Sequence, residues 1–264
     1  MYIKRTEGIV IKSRDYGEGH RIVVIFTRRM GKVSAVAKGS RKIKSKFGAS
    51  LEPLTVNDFM LYRKPGRDLA VITGCSTVKS NIDLREDMGI YSRCALMMEC
   101  VEILNTEDDP HPQIYNLFKG ALDEISCRKE KAPSVSWLFI FMLLKHVGYR
   151  LNFFRCGLCK RKEFKSPRFF PDEGSVYCRK CSKGKERSWP VSPSVLASIR
   201  KLDTDLNLTV MDDREIGNII QKFIEYEFGK KLKSIKFLER ISYKDNDSDK
   251  NFAIKLKKEC ISRN

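Results

Sequence analysis

The chain of 264 residues carries 51 Lys and Arg against 33 Asp and Glu, a formal net charge of +18, and 42% of its residues are hydrophobic. This composition excludes wholesale disorder and allows one large folded unit or two to three small ones. Self-repulsion from so much charge opposes folding, so the excess is typical of a protein that binds a polyanion. Nucleic acid is the first candidate, and an anionic membrane surface is the second.

The positive charge is concentrated in two segments. Residues 1–80 carry a net charge of +11 and residues 151–190 a net charge of +7. Residues 81–150 carry −3 and residues 191–264 carry +3. This uneven distribution favours defined surfaces that face nucleic acid over a uniformly cationic body.

Residues 1–80 have the pattern of a small β-barrel domain. Five short runs rich in Val, Ile, Phe and Thr are separated by glycine, proline or charge clusters, as strands are. The predicted strands are Glu7–Ser13, Arg21–Arg28, Gly31–Lys38, Leu54–Arg63 and Leu69–Gly74. Five strands in so short a segment predict an OB-fold-like barrel that binds nucleic acid. An SH3-like barrel gives a similar pattern, and periodicity alone does not separate the two.

The pattern becomes helical after the barrel, and residues 81–150 together with 191–243 predict a helical bundle domain. A helix that ends near Leu104 is followed by a second over Ile114–Cys127 and by a third that begins at Pro133. The third helix is apolar on every side, so we expect it at the buried centre of the bundle. The fold class predicted for the whole chain is α+β.

A late helix is predicted to begin at Asp212 and to end at Gly229. Glu215 follows Asp212 at the spacing of a capping box, in which two side chains satisfy each other's backbone N–H groups. The chain then becomes polar and rich in turn-forming residues. Residues 244–264 are therefore predicted to form a loosely ordered tail.

Four cysteines form the most specific motif in the chain. Two C-x2-C pairs are separated by 18 residues, a spacing that can bring four thiolates around one zinc ion. The predicted ligands are Cys156, Cys159, Cys178 and Cys181. They lie in a zinc finger over 151–190, in which Pro171–Gly174 has the composition of a hairpin turn. Because four sulfurs close a tetrahedral shell, we expect one structural Zn²⁺; unrelated buried cysteines or a redox pair are the alternatives.

A basic loop joins the third and fourth predicted strands. Lys38–Gly48 carries five cations, and its glycine and serine residues let the backbone approach phosphates. The predicted DNA-binding residues are Arg28, Arg29, Lys38, Arg41, Lys42, Lys44 and Lys46. A solvated basic connection is the alternative. The aromatic residues available for base stacking are Tyr16, Phe47, Phe59 and Tyr62. None of them is assigned this role, because aromatic residues in small barrels more often form the core.

Motifs of nucleotide-dependent and hydrolytic enzymes are absent from the sequence. It contains no G-x-x-x-x-G-K-[ST], no G-x-S-x-G and no H-E-x-x-H. The histidines at His20, His111 and His146 are scattered, which is typical of structural residues. We therefore expect a binding protein and not an enzyme. The alternatives are a metal-dependent nuclease and a zinc-containing nucleic-acid-binding regulatory protein, although no helix suited to reading base edges is recognisable.

The N-terminus and the cysteines predict a cytoplasmic location. No secretory signal is recognisable, and the longest apolar stretch, Val135–Leu144, is well short of the ~20 residues that a membrane span needs. Nine cysteines, an odd number, disfavour a disulfide framework and suit a reducing compartment.

A set of motifs occurs in a characteristic order along about residues 1–240. The motifs are Gly8–Val10, Arg14–Glu18, Arg21–Val23, Phe26–Thr27, Gly31–Val33, Ala35–Gly39, Phe47–Gly48, Leu51–Leu54, the two cysteine pairs and Phe228–Ser234. In these motifs the sequence resembles the RecO family of bacterial recombination mediators. His20 stands where a smaller or acidic residue is expected, and the tail after Tyr243 has no recognised counterpart.

The resemblance implies more than the residue patterns do. It implies an N-terminal OB-fold, a helical domain and a zinc finger packed on that domain. It further implies binding to single- and double-stranded DNA, annealing of complementary strands, partnership with RecR, and contact with the C-terminal tail of the single-stranded-DNA-binding protein. With those partners the family helps to load the recombinase in DNA repair, in the bacterial cytoplasm at the nucleoid.

Overall fold

The part of the chain described by the computed structural model, residues 3–163, 165–202 and 212–241, begins with a closed barrel. Its strands are β1 (Ile3–Tyr16), β2 (His20–Thr27), β3 (Gly31–Ala37), β4 (Val56–Tyr62) and β5 (Ala70–Lys79). They pair in the order β1-β2-β3-β5-β4, and β4 pairs back to β1. Only the β3–β5 pair of the barrel is parallel. The predicted OB-fold-like barrel is confirmed.

Alternation along the strands explains how the barrel forms and where it packs. Val10 and Ile25 are fully buried in the barrel interior. Their neighbours Ile9 and Phe26 point to the opposite face and join the core of the helices. β1 is longer than the predicted strand Glu7–Ser13, because its exposed ends are held by backbone pairing with β4 and β2 and not by burial.

Four helices follow the barrel: α1 (Ile82–Glu86), α2 (Met88–Leu104), α3 (Pro112–Cys127) and α4 (Ala132–His146). α4 packs against both α2 and α3, and its residues Trp137, Phe139 and Ile140 are buried. The prediction that this helix is the centre of the bundle is confirmed. α2 also packs against β1, so the bundle covers one side of the barrel. Within the described ranges, no helix has the length and apolar character to cross a membrane.

Along the chain, a three-stranded sheet follows α4 and precedes the last helices. β6 (Arg168–Phe170) pairs with β7 (Ser175–Tyr177) on one side and with β8 (Trp189–Pro190) on the other. A 3-10 turn over Pro171–Glu173 connects β6 to β7, which confirms the predicted hairpin turn. The described chain ends with α5 (Pro193–Lys201), α6 (Asp213–Phe228) and a helix over 233–241, named α7 here.

The start of α6 differs in part from the predicted capping box. The Asp212 carboxylate accepts a hydrogen bond from the backbone N–H of Glu215 at 3.0 Å, as predicted. The Glu215 carboxylate accepts from the backbone N–H of Ser192, at the start of α5, so the reciprocal half of the prediction is wrong. A contact between two helix starts has replaced a local one. α6 ends at Gly229, as predicted, and the predicted tail over 244–264 lies outside the described residues.

One partly buried carboxylate, that of Asp213, holds three helices of the bundle together. Arg93 of α2 forms a two-pronged ion pair with Asp213 of α6. The indole N–H of Trp137 in α4 donates to the same carboxylate at 2.7 Å. The Arg93 side chain is only 8% exposed, so this pair lies within the body of the protein.

Helix α7 is attached to the bundle through Glu99 of α2. The Glu99 carboxylate accepts from the backbone N–H groups of Lys233 at 2.9 Å and Ser234 at 2.8 Å, and also from the Ser234 hydroxyl. A carboxylate is stabilising at a helix N-terminus, where backbone N–H groups have no partner within the helix. This contact gives the Phe228–Ser234 motif a structural reason.

Candidate metal centre and nucleic-acid interface

Four cysteine side chains converge beside the β6–β7 hairpin. The Sγ atoms of Cys156, Cys159, Cys178 and Cys181 all lie within 4.8 Å of one another. The Sγ atoms of Cys159 and Cys178 are 3.9 Å apart. Four sulfurs placed ~2.3 Å from a central zinc ion would be ~3.8 Å from one another. The four predicted residues are thus brought together in a group that can hold a tetrahedral metal ion.

The backbone turns sharply at each cysteine pair. In the first pair the N–H of Lys160 donates to the carbonyl of Cys156 at 3.0 Å. In the second pair the N–H groups of Cys181 and Ser182 both donate to the carbonyl of Cys178 at 3.0 Å. Each turn brings two sulfurs to the same side of the chain, which is the reason for the two-residue spacing.

Hydrogen bonds from backbone N–H groups favour the thiolate form of two cysteines. Burial raises the pKa of Cys156, but hydrogen bonds from the N–H groups of Cys178, Cys159 and Leu158 outweigh it and lower the pKa to about 6. Burial also opposes ionisation of Cys178, whose pKa is nevertheless lowered by hydrogen bonds from Cys181. The hydrogen bond that Cys181 gives to Cys178 raises the pKa of Cys181 to about 12. Metal ligation requires thiolates, and the lowered pKa values of Cys156 and Cys178 favour that form.

A small apolar core supports the cysteines. Phe170 and Tyr177 are buried, and their rings meet edge to face at 4.8 Å. A Cβ atom on Gly157 would lie 2.7 Å from the Tyr177 ring, so only glycine fits there. Glu173 accepts from the Tyr177 hydroxyl and pairs with Lys185 at 2.6 Å, and these hydrogen bonds, that of Lys185 above all, lower the pKa of Glu173. This core consists of two cysteines, Phe170 and Tyr177. So few apolar residues contribute little burial, and a metal ion would add the cross-links that burial does not provide.

The segment 151–190, which we call the cysteine module, is anchored on α4, α5 and α6. The Phe153 ring stacks on Phe169 at 5.5 Å and meets Phe141 of α4 edge to face at 5.8 Å. Arg200 of α5 donates to the carbonyls of Phe153 at 2.8 Å and Lys162 at 3.0 Å. α6 packs against the turn between β6 and β7. The module is therefore carried by other helices than the barrel, which packs on α2 and α3.

The basic loop lies on the turn between β1 and β2. The N–H of Gly39 donates to Nδ1 of His20 at 2.9 Å. The Arg41 guanidinium donates to the carbonyl of Gly17 at 3.3 Å and pairs with Asp15 at 3.3 Å. His20 is an unexpected residue in its motif. It has a structural role, because its ring accepts the hydrogen bond that holds the start of the loop.

The cations predicted to bind DNA are held at the surface. Lys46 lies along β5 and donates to the carbonyl of Thr73. All the predicted residues are exposed: Arg28, Arg29, Lys38, Arg41, Lys42, Lys44 and Lys46. Exposure is what contact with phosphates requires, and a DNA-binding role for these seven residues remains a prediction.

Two family models match the chain in succession. The model described as recombination protein O N terminal matches residues 1–81, and the model described as recombination protein O C terminal matches residues 85–236. The chain belongs to the RecO family. The boundary between the matches falls at α1, where the barrel gives way to the bundle.

Relatives in several bacteria are similar to this RecO-family chain over most of its length. DNA repair protein RecO of Rubrobacter xylanophilus is 35% identical over 204 residues, which cover 76% of this chain and 81% of that protein. The protein of the same name in Alkaliphilus metalliredigens is 32% identical over 181 residues, covering 69% and 72%. That of Anaeromyxobacter sp. strain K is 28% identical over 242 residues, covering 89% and 95%. The chain is a RecO-family DNA repair protein.

A second basic cluster on the barrel of this RecO-family chain was largely missed by sequence analysis. A depression of about 520 Å³ lies where the β4–β5 turn meets the β2–β3 turn. The cations that line it are Lys4, Arg29, Arg63, Lys64 and Arg67. Only Arg29 was predicted, because the others are far from the basic loop in sequence. The available signal was the Pro65-Gly66 turn with three cations around it. We call this group the turn cluster.

The aromatic stacking candidates are reduced by the structure. Phe47 and Phe59 are 2% and 1% exposed in the barrel core, so neither can meet a base. Tyr16 is 51% exposed at the end of β1, and Tyr62 is partly exposed. Trp189, which the sequence analysis did not single out, is partly exposed and lines a groove beside the cysteine module.

Proposed function

We propose that this RecO-family chain is a recombination mediator without enzymatic turnover. It binds single- and double-stranded DNA, anneals complementary strands and, together with RecR, helps to load the recombinase in the cytoplasm at the nucleoid. The observation that supports this most is the separation of two basic surfaces on different sides of one helical bundle. The barrel packs on α2 and α3, where Tyr115 and Lys119 of α3 both donate to Glu7 of β1. The cysteine module packs on α4, α5 and α6. One molecule can then hold two strands.

On the barrel, two groups of cations at opposite ends of β3 contribute to the first surface: the turn cluster, beside the turn that precedes β3, and the basic loop, which follows it. Their cations neutralise phosphates without reading sequence, which suits a protein that acts on any damaged region. The loop is docked on the β1–β2 turn through His20 and Arg41, and Lys46 is bonded to β5, so these parts of the loop keep a defined position before DNA binds. Cations that are already positioned lose less conformational freedom on binding than free ones do.

On the second surface, we propose that one zinc ion organises the cysteine module. The donor set fits zinc, because four sulfurs give a closed tetrahedral shell with no open position for water or substrate. Bound zinc supplies cross-linking of the two cysteine pairs and no reaction chemistry. The exposed cations beside the ligands offset the negative charge of four thiolates around a divalent ion; they are Lys160, Arg161, Lys162, Arg179 and Lys180.

Annealing on this chain needs charge neutralisation and no nucleotide hydrolysis. Two DNA strands repel each other, and the barrel and the cysteine module each neutralise one of them. Base pairing then drives the reaction, since a stacked step of duplex DNA contributes on average ~1.4 kcal/mol. The sequence has no nucleotide-binding loop, in agreement with this mechanism.

A pocket between α4 and the cysteine module suits the proposed protein partner. It has a volume of about 230 Å³ and is lined by Phe141, Phe153 and Phe154, with Lys145 and Arg150 beside them. An apolar residue at a chain terminus would fill the pocket while its carboxylate pairs with a cation. We propose this pocket as a contact site for the C-terminal tail of the single-stranded-DNA-binding protein.

The experiment that tests the function measures annealing of complementary labelled oligonucleotides with and without ATP. We expect the protein to accelerate annealing equally in both conditions. Added salt should suppress annealing steeply, because the release of counterions from DNA on protein binding is less favourable at high salt concentration. A strict ATP requirement in the pure protein would contradict the proposal.

The same mixtures separate the alternatives. Cleavage of labelled DNA or RNA in the presence of a divalent metal ion would favour a nuclease. A strong preference for one sequence would favour a regulatory protein. Acceleration of annealing in EDTA, with no cleavage and no preference, is the result that the mediator predicts.

A further inference from the structure

A groove runs between the cysteine module and α6. It has a volume of about 900 Å³ and is bounded by Arg168 and Arg179 of the module, by Trp189 and Pro190 of β8, and by Lys222 of α6. The proposed tail pocket is built from other residues, on α4 and the start of the module. The groove is therefore a separate site.

Trp189 gives the groove an aromatic surface. It lies on β8, where its backbone pairs with Phe169, a fully buried residue of the core. The Lys222 ammonium lies 5.5 Å from the centroid of the Trp189 ring. A large aromatic residue that is fixed by a strand and left partly exposed is suited to stack on a planar ligand, and an adjacent cation is suited to an anionic one.

The charges around the groove favour an anion. Arg179 follows Cys178, so the turn that brings the second cysteine pair together also places the Arg179 backbone at the groove wall. Lys222 is shared between the ring and Glu225, with its ammonium 3.5 Å from that carboxylate. The one carboxylate among the lining residues, Glu215, already accepts from the backbone N–H of Ser192. Cations thus outnumber acids on the lining.

We propose that this groove binds single-stranded DNA, with a base stacked on the Trp189 ring and the adjoining phosphates at Arg179 and Lys222. This inference rests on the proposed function and identifies the second of its two strand-binding surfaces. Stacking requires an unpaired base, so the site selects single strands over duplexes. An acidic peptide would use the cations but would gain little from the indole ring, which is why nucleic acid is the better fit.

The two tryptophans of the chain allow a direct test. Trp137 is fully buried and bonded to Asp213, so its fluorescence reports the folded core. Trp189 reports the groove. We expect an oligonucleotide of about 20 thymidines to quench the fluorescence of the full zinc-loaded chain, since a base stacked on indole quenches it. In Trp189→Phe, the remaining fluorescence of Trp137 should stay unchanged on addition of the same oligonucleotide.

Affinity gives a second readout, measured by anisotropy of the labelled oligonucleotide. Trp189→Ala should weaken single-strand binding about 5- to 100-fold, and Trp189→Phe should weaken it less because a smaller ring remains. Duplex affinity should change less than about twofold in both variants. Lys222→Ala should weaken single-strand binding and make its salt dependence shallower, whereas Lys236→Ala, an exposed cation on α7, should do neither.

The outcomes distinguish this site from the function it rests on. If the oligonucleotide binds without quenching and Trp189→Ala binds it with unchanged affinity, the groove is not a DNA site and the proposed function stands. If no DNA binds at all, the proposed function itself fails. Quenching by an acidic peptide but not by the oligonucleotide would assign the groove to a protein partner and overturn the proposal. Unchanged zinc content and unchanged Trp137 fluorescence verify that each variant is folded.

Discussion

The barrel and the cysteine module carry most of the positive charge, yet different forces hold them in place. The barrel has a closed ring of strands and an interior of its own, with Val10, Ile25 and Phe59 almost fully buried. The module has short strands; Phe153 and Phe169 are buried against the bundle, but the core around the cysteines holds only two cysteines, Phe170 and Tyr177 within the described residues. The barrel surface rests on apolar burial, and under the proposed zinc binding the surface of the module rests on metal ligation as well.

This difference has a functional consequence. Apolar burial persists in any solution that supports folding, whereas a four-thiolate site depends on a metal ion and on reduced cysteines. The barrel surface should therefore be permanent, and the surface of the cysteine module conditional. The predictions below are designed to separate the two regions.

The largest effect is expected when the metal site is removed. Cys178→Ser should abolish tight zinc binding and unfold the module, because structural zinc sites contribute on the order of 10 kcal/mol to folding. Limited proteolysis should then cut within 151–190 while the barrel stays intact, and elemental analysis should find no zinc. Cys127→Ser, which changes an exposed cysteine outside the site, is the matched control. Purified, reduced wild-type protein that contains no zinc would contradict this account.

A smaller loss should follow when the bundle between the two regions is weakened. Asp213→Asn leaves the buried Arg93 without its counter-charge, and we expect unfolding to become easier by about 3 kcal/mol. The matched control is Asp123→Asn, which removes an exposed pair with Lys79 and should cost less than about 1 kcal/mol. Urea unfolding measures both. Equal losses in the two variants would show that the Arg93 pair does not hold the helices together.

Removing the basic loop should alter DNA binding without altering stability. Replacement of Arg41, Lys42, Lys44 and Lys46 by alanine should weaken binding to all sequences. The slope of log K against log salt should become shallower by up to ~0.7 per lost contact on single strands. The control replaces four exposed cations elsewhere, Lys129, Lys230, Lys231 and Lys236, with alanine. An unchanged slope in the loop variant would make the loop a solvated connection.

His20→Ala gives a finer version of the same comparison. It keeps every loop cation but removes the acceptor for the N–H of Gly39. We expect weaker binding than in the wild type and an unchanged salt slope, because position is lost and charge is not. A shallower slope in this variant would mean that the docked position determines how many phosphates are contacted.

The smallest effect concerns acid stability of the cysteine module. The pKa of Glu173 is lowered by the hydrogen bond from Lys185 first and by that from Tyr177 next. The folded state therefore favours the carboxylate, and its contribution is complete above the ordinary Glu value of 4.5 and is lost as the pH falls through the lower folded value. Between pH ~6 and ~3, the Glu173→Gln variant should lose less thermal stability than the wild-type protein loses. Identical pH profiles for both proteins would show that Glu173 does not contribute.

Features that depend on the residue pattern within one short segment were predictable from the sequence. Features assembled from segments distant in the sequence were not. The strands around Val10 and Ile25 show a buried face, and the cysteine spacing is itself the geometry of the site. The turn cluster joins Lys4, Arg29 and Arg63 from three parts of the barrel, so no run of charge marked it. The ends of β1 are exposed and charged, and only their pairing makes them strand.

The groove at Trp189 was missed for the same reason. Its walls come from the cysteine module and from α6, which are separate in sequence. Glu215 shows the converse: its local spacing predicted a capping box, and a contact with Ser192 took its place. Side-chain partners depend on tertiary packing even where the backbone follows the local pattern.

The central claim, that one molecule holds two strands, is tested most directly with two non-complementary oligonucleotides, one labelled with a donor dye and the other with an acceptor. Non-complementary strands cannot pair, so energy transfer at equimolar protein reports only their joint binding; light scattering verifies that the protein has not aggregated. We predict energy transfer with the wild-type protein, and its loss both in the four-alanine loop variant and in Cys178→Ser. Binding of each strand alone, with no energy transfer at any protein concentration, would contradict the two-surface account.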